Sequence, residues 1–214
     1  MTRQPRGSAN QLPRPIHKSL TALAHEAMAE LFGPLARYLH RLGITPNAIT
    51  ILGCALSMAG AALIALGRWP AGIAFALVGG FADAVDGLLA RQSQQTTRFG
   101  AFLDSVLDRW SDSAFFIGLL VYFARADMVM EEVLSGLALS FSLLVSYTRA
   151  RAEGIGARCS RGLFTRLERF SVLMAGLILD QMTIALWVIA TLSALTAIQR
   201  IYYTWRFIQL TAEE

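Results

Sequence analysis

Charge is scarce in this sequence. Only 16% of its 214 residues are Asp, Glu, Lys or Arg, whereas 55% are hydrophobic, and the mean hydropathy is +0.48. Soluble domains carry about a quarter charged residues, so the chain is short of the polar surface that a water-soluble globule requires. Cysteine is almost missing as well. Cys54 lies in an apolar run and Cys159 in a basic loop, which excludes a thiolate metal spacing and a disulfide framework. The three histidines, His17, His25 and His40, share no partner spacing and are assigned no chemistry. There is no internal repeat and no Pro/Ser-rich linker, so a single domain is expected over residues 16–214. Residues 1–15 are polar and read as a disordered tail; without an apolar core, they are not expected to act as a signal peptide.

Long uncharged runs take the place of the missing charge. Asn47 to Gly67 and Gln181 to Gln199 are close to the ~20 residues that a hydrocarbon core demands. Trp69 to Arg91, Phe99 to Ala124, Val133 to Glu153 and Leu163 to Leu179 are apolar at one end and charged at the other. Backbone groups in lipid must bond within their own segment, which favours helices, and short alternating barrel strands are not seen. The reading is an all-α integral membrane protein with six transmembrane helices.

Net charge is +4, which by itself would suit nucleic acid. Its placement points instead to a membrane and to no nucleic-acid partner. With both termini inside, all of the 19 Lys and Arg except Arg68 and Arg125 fall on one side of the six spans. Such a bias orients the chain as a multi-pass protein of the cell (cytoplasmic) membrane, basic loops inward. Ahead of the first span, Leu20, Leu23, Ala27, Leu31, Leu35, Tyr38 and Leu42 recur at three- and four-residue steps, with Lys18, Glu26, Glu30, Arg37 and Arg41 on the other face. This predicts an amphipathic interfacial helix over residues 17–42, broken at Gly33-Pro34. Trp69, Trp110, Trp187 and Trp205 lie mostly near span ends, where interfacial anchoring accounts for them.

The chemistry is concentrated in four aspartates. Asp83 and Asp86 are three apart at the cytoplasmic end of the second span; Asp104 and Asp108 are four apart at the start of the third. Each pair shares a helix face. The short connection from Gln92 to Arg98 predicts antiparallel neighbouring helices whose carboxylates converge. Ionisable groups in spans are costly and usually face a functional cavity. Each aspartate alone could be a helix-end charge paired with a local arginine, a reading that four at these spacings strain. Oxygen donors without nearby His or Cys select Mg²⁺, Mn²⁺ or Ca²⁺. Two such ions about 3.5–4 Å apart can clamp a phosphoryl group.

The eight residues Asp83, Asp86, Gly87, Ala90, Arg91, Gly100, Asp104 and Asp108 spell Asp-x2-Asp-Gly-x2-Ala-Arg-x8-Gly-x3-Asp-x3-Asp. This resembles the signature of the CDP-alcohol phosphotransferases, and the likeness extends over residues 16 to 207. It implies Asp83, Asp86, Asp104 and Asp108 as ligands of two ions, Mg²⁺ or Mn²⁺, with Asp108 also the general base. It implies a CDP-lipid such as CDP-diacylglycerol, bound by Thr45, Pro46, Asn47, Ala48, Gly87, Arg91 and Thr97, on the cytoplasmic side. Physical readings stand beside these. Gly87 lets a nucleotide approach the backbone, or simply packs a helix. Arg91 can bridge pyrophosphate oxygens or anchor the span. Thr45 to Ala48 offers a helix N-terminus to an anion, though an ordinary helix start explains that turn equally well. Asp112 extends the row of Asp104 and Asp108 outside the signature and is read as a partner for an arginine.

The acceptor is read from the arginines. Ser146-Tyr147-Thr148-Arg149-Ala150-Arg151-Ala152-Glu153, Arg166-Leu167-Glu168-Arg169 and Gln199-Arg200 are similar to stretches in the inositol-phosphate-accepting branch of that family. Arg149 departs from it, standing where lysine is expected. Arg149, Arg151, Arg166, Arg169 and Arg200 are thereby implied as ligands of a phosphorylated alcohol, inositol 1-phosphate, with glycerol 3-phosphate the runner-up. Any one of them also satisfies the positive-inside rule alone. The family is often homodimeric, but nothing in the chain marks an interface. A non-enzymatic cation channel or transporter is the rival class; it explains the carboxylates but not Gly87, Ala90, Arg91 and Gly100.

Overall fold

A computed structural model describes residues 32–92, 97–157 and 162–212, and every regular element among them is an α-helix. After α1 (32–41) come α2 (Pro46–Ala65), α3 (Trp69–Gln92), α4 (Arg98–Arg125), α5 (Val129–Gly154), α6 (Arg166–Ile178) and α7 (Met182–Ala212). The polar tail and the first half of the expected interfacial helix lie outside the described residues. Gly33 and Pro34 fall within α1 as described.

Local chemistry sets the boundaries. Thr45 and Thr97 open α2 and α4 with extended backbone, their hydroxyls accepting from the amides of Ala48 and Gly100 at 3.3 and 2.9 Å. Pro46 follows in the first turn, where its missing N–H costs nothing. Thr165 and Glu168 form a reciprocal capping box on α6. Five helices stop in one way. Gly43, Gly67, Asp127, Gly156 and Asp180 have positive φ. The next amide in each case (Ile44, Arg68, Met128, Ala157, Gln181) donates to a carbonyl five residues back. This satisfies the orphaned carbonyls at the helix end.

α2 packs against both α3 and α4, α5 joins α4 to α7, and α6 rests on α7 and touches α3. The α2–α3 seam is built from Gly53, Ser57 and Gly60 against Gly72, Ala76 and Gly79. A Cβ on Gly60 would lie 2.9 Å from the carbonyl oxygen of Gly72, and one on Gly118 of α4 only 2.5 Å from that of Ala61. Between helices in lipid, close backbone approach through small residues supplies the packing that water-driven association cannot. The main core gathers Phe115, Phe116, Leu119 and Phe123 with Ile64, Leu134, Leu173, Leu177, Leu186 and Ile189.

Two expectations are modified. α3 and α4 do not pack along one another; both lean on α2. The short connection fixes their ends near each other but not their flanks. Second, among the described residues only α2, α3, α5 and α7 are long and apolar enough to cross a membrane by length and composition. α4 carries Asp104, Asp108, Arg109 and Asp112 in its first half, and α6 has 13 residues, about 20 Å of helix. The protein is a multi-pass, all-helical membrane protein.

Candidate active site

The gap between the end of α3 and the start of α4, floored by the start of α2, is where the signature residues meet. Asp83, Asp104 and Asp108 each offer a carboxylate oxygen, and these lie within 4.8 Å of one another. Asp86 is buried, 6% exposed, and its Oδ2 has no hydrogen-bond partner among the described residues. A buried anionic oxygen without a donor is unfavourable. Three converging carboxylates and a fourth so placed fit a hard divalent cation, and the donor set contains neither sulfur nor imidazole.

A cavity of about 280 Å³ opens beside the cluster. Pro46, Asn47 and Thr50 line it from α2, Asp86, Gly87, Ala90 and Arg91 from α3, and Thr97, Gly100, Ala101 and Asp104 from the α4 side. The structure therefore brings Pro46, Asn47, Gly87, Arg91 and Thr97 to one wall system. Thr45 and Ala48 are not in that lining; they are occupied with each other at the α2 cap. The Arg91 guanidinium folds back, its Nε donating to the Gly87 carbonyl at 2.9 Å. Thr50 and Ala101 were not anticipated. Thr50 lies one helical turn beyond Pro46, a spacing that could have revealed it.

Arginines close the other side. α6 begins at Arg166, whose direction is set by the Thr165–Glu168 cap and by Gln199 of α7, which accepts from the Leu163 amide at 3.1 Å. The Arg166 Nη1 lies 2.9 Å from both Asp83 Oδ2 and Asp108 Oδ1, and its Nε is 3.5 Å from Asp112 Oδ1. Arg169, one turn on and 4% exposed, reaches Asp112 Oδ2 at 3.4 Å. The other proposed acceptor arginines are elsewhere. Arg200, equally buried, donates from Nη1 to the Val145 carbonyl at 2.6 Å. Arg149 pairs with Glu153 at 2.8 Å on the exposed end of α5, where Arg151 is also exposed. Sequence spacing had paired Asp112 with an arginine but had not named two.

A helical membrane bundle with a carboxylate cluster set between two helices defines a narrow class. The model of the CDP-alcohol phosphatidyltransferase family matches residues 43–205, and the chain belongs to that family. It is a transferase of phospholipid biosynthesis, which removes the channel reading.

Particular relatives narrow it further. The phosphatidylinositol phosphate synthase of Mycobacterium marinum is 37% identical, with 86% of this chain and 83% of that protein aligned. The archaetidylinositol phosphate synthase of Methanothermobacter thermautotrophicus is 36% identical over 85% of this chain and 96% of its own. The Mycobacterium tuberculosis phosphatidylinositol phosphate synthase is similar in structure at 35% identity. Its form with CDP-DAG bound superposes with a TM-score of 0.77, covering 83% of this chain and 94% of that one. Its complex with manganese and citrate gives 0.76, over 80% and 88%.

Proposed function

We propose that this chain is a phosphatidylinositol phosphate synthase. It transfers the phosphatidyl group of CDP-diacylglycerol to a hydroxyl of inositol 1-phosphate and releases CMP. The observation that carries the acceptor is the delivery of Arg166 to Asp83 and Asp108, and of Arg169 to the neighbouring Asp112, none of which lines the cavity assigned to the nucleotide. Two cations beside the same carboxylates suit an acceptor that brings its own phosphate, bound through planar guanidinium forks. The names of the relatives and the CDP-DAG and manganese of the mycobacterial structures support the same reading.

Asp83, Asp86, Asp104 and Asp108 hold two divalent ions, Mg²⁺ or Mn²⁺, which when bound supply Lewis-acid neutralisation of the pyrophosphate charge. The walls from Pro46 to Thr50, with Gly87, Arg91 and Thr97, seat the cytidine nucleotide. Asp108 accepts the proton as the acceptor oxygen forms its bond to the lipid-side phosphorus. The bond from that phosphorus to the bridging oxygen breaks, and CMP leaves with the electron pair. Arg166 and Arg169 orient the incoming phosphate, while Arg200 is held by the Val145 carbonyl and Arg149 by Glu153, away from the aspartates.

Purified protein supplied with CDP-diacylglycerol should release CMP faster with inositol 1-phosphate than with glycerol 3-phosphate, inositol or serine. A clear preference for glycerol 3-phosphate would remove the inositol assignment and leave the family standing.

The same proposal places the chain in the cytoplasmic membrane with six spans, α4 and α6 included, and the aspartates on the cytoplasmic side. α1 lies in the headgroup layer. Phe32, Ala36 and Leu39 pack toward Val85, Leu88 and Leu89, while Leu35, Tyr38 and Leu42 stay exposed beside Arg37 and Arg41, as an interfacial helix requires. Cysteines placed at Arg68 and Glu131 should react with an impermeant maleimide on intact cells, and one at Ser93 only after permeabilisation. Labelling of Ser93 on intact cells would reverse the orientation.

A further inference from the structure

Asp112 lies outside the metal-competent group formed by Asp83, Asp104 and Asp108, one helical turn deeper along α4 than Asp108. Its two oxygens are divided between two guanidinium groups: Oδ1 faces Arg166 Nε at 3.5 Å and Oδ2 faces Arg169 Nη2 at 3.4 Å. Asp112 and Arg169 are largely enclosed, with side chains 17% and 5% exposed. Arg169 is held further by the Phe164 carbonyl at 3.4 Å. Arg166 is thus gripped at two edges. Its Nε edge rests on Asp112, and its Nη1 edge rests on Asp83 and Asp108, 2.9 Å from each.

The two edges face different chemistry. Asp83 and Asp108 are oxygens that a divalent cation would claim, and a guanidinium cannot compete with a doubly charged ion for carboxylates at that range. Asp112 has no such competitor. When its Nη1 edge is given up by Asp83 and Asp108, Arg166 remains tethered through Nε, with a planar edge turned toward the cluster and ready for phosphate oxygens.

We propose that Asp112 is a positioning residue for the phosphate of the acceptor. It holds Arg166 by Nε so that the Nη1 edge exchanges between the carboxylate cluster and that phosphate, and it seats Arg169 alongside. This rests on the reading of the acceptor as a phosphorylated alcohol. It makes Asp112 a determinant of acceptor affinity although it touches neither substrate nor metal.

The test is kinetic. Asp112→Asn keeps the shape of the side chain and removes the charge. Its KM for inositol 1-phosphate should rise at least tenfold, with the KM for CDP-diacylglycerol and the Mn²⁺ affinity, read by electron paramagnetic resonance without substrates, within about twofold of wild type. A merely structural residue would move all three together or none. A smaller rise in the acceptor KM, or a matching loss of Mn²⁺ affinity, overturns the proposal. Should Asp112→Asn fail to fold because Arg169 is left unpaired, Asp112→Glu keeps the charge and displaces the tether by one methylene. It should raise the acceptor KM at least threefold at unchanged Mn²⁺ affinity, and a smaller change overturns the proposal. A wild-type enzyme that ignores phosphorylated acceptors would instead defeat the acceptor reading, an outcome visible before any variant is made.

Discussion

Asp108→Asn should lower kcat for CMP release by about 10²–10⁴-fold, the range that a positioned general base contributes. The amide fills the space of the carboxylate but cannot take the proton of the attacking hydroxyl. CDP-lipid binding should stay within a few-fold of wild type, because the cavity that seats the nucleotide is lined by Asp86, Gly87, Arg91 and Asp104 and not by Asp108. The fold should survive, since Arg166 keeps Asp83 and Asp112 as partners. Radiolabelled CMP release under saturating substrates, with retention of labelled CDP-diacylglycerol measured on the same preparation, separates the two. Turnover within tenfold of wild type would mean that Asp108 is not the base. Asp104→Asn provides the contrast, because Asp104 lines the nucleotide cavity and its loss should weaken CDP-lipid binding as well as turnover.

Gly87→Ala should leave the protein as stable as before, or more so, and still cost about 10²-fold in kcat/KM for the CDP-lipid. The expectation comes from two facts about one position. A Cβ at Gly87 would meet only the Arg91 Nη2, at 3.6 Å, an ordinary contact. Glycine to alanine inside a helix gains about 0.5–1 kcal/mol. Among the described residues nothing therefore needs glycine there, yet it faces the cavity, and a methyl group would hold a nucleotide away from the helix backbone. A displacement of about 1 Å is enough for a loss of that size. Gly100→Ala is a poorer probe, because its Cβ would crowd Thr97 Oγ1 and Asn47 Oδ1 at 3.0 and 3.1 Å. A melting temperature in detergent that falls by more than a few degrees, or an unchanged kcat/KM, would each refute the account of Gly87.

Much of the site was legible before the structure because the signature is local. Asp83 and Asp86, or Asp104 and Asp108, are placed on one helix face by spacing alone, and Pro46 and Asn47 by the helix start they mark, while Thr97 follows only from the family resemblance. The arginines were less legible. Arg149, Arg151, Arg166, Arg169 and Arg200 look alike in sequence as basic residues at the ends of apolar runs, and of these five only Arg166 and Arg169 reach the aspartate row. Arg200 spends a hydrogen bond on the Val145 carbonyl of α5, and Arg149 is taken by Glu153 on its own helix. In α1, Leu35, Tyr38 and Leu42 of the expected stripe stay exposed, and the face that packs on α2 and α3 is its neighbour, through Ala36 and Leu39.

The sequence by itself determined that the chain is helical and membrane-embedded, where most helices begin and end, and that four aspartates occupy two helix faces. Hydropathy, caps and side-chain period act over a few residues, so a linear pattern contains them. Only the tertiary structure decided that α3 and α4 lean on α2 and leave a cavity between them, and that Arg166 and Arg169 converge on Asp112 from a helix more than fifty residues away. Those outcomes depend on which small-residue faces meet, Gly60 on Gly72 and Gly118 on Ala61, and backbone proximity between helices is a property of the pair, which neither helix carries in its own periodicity.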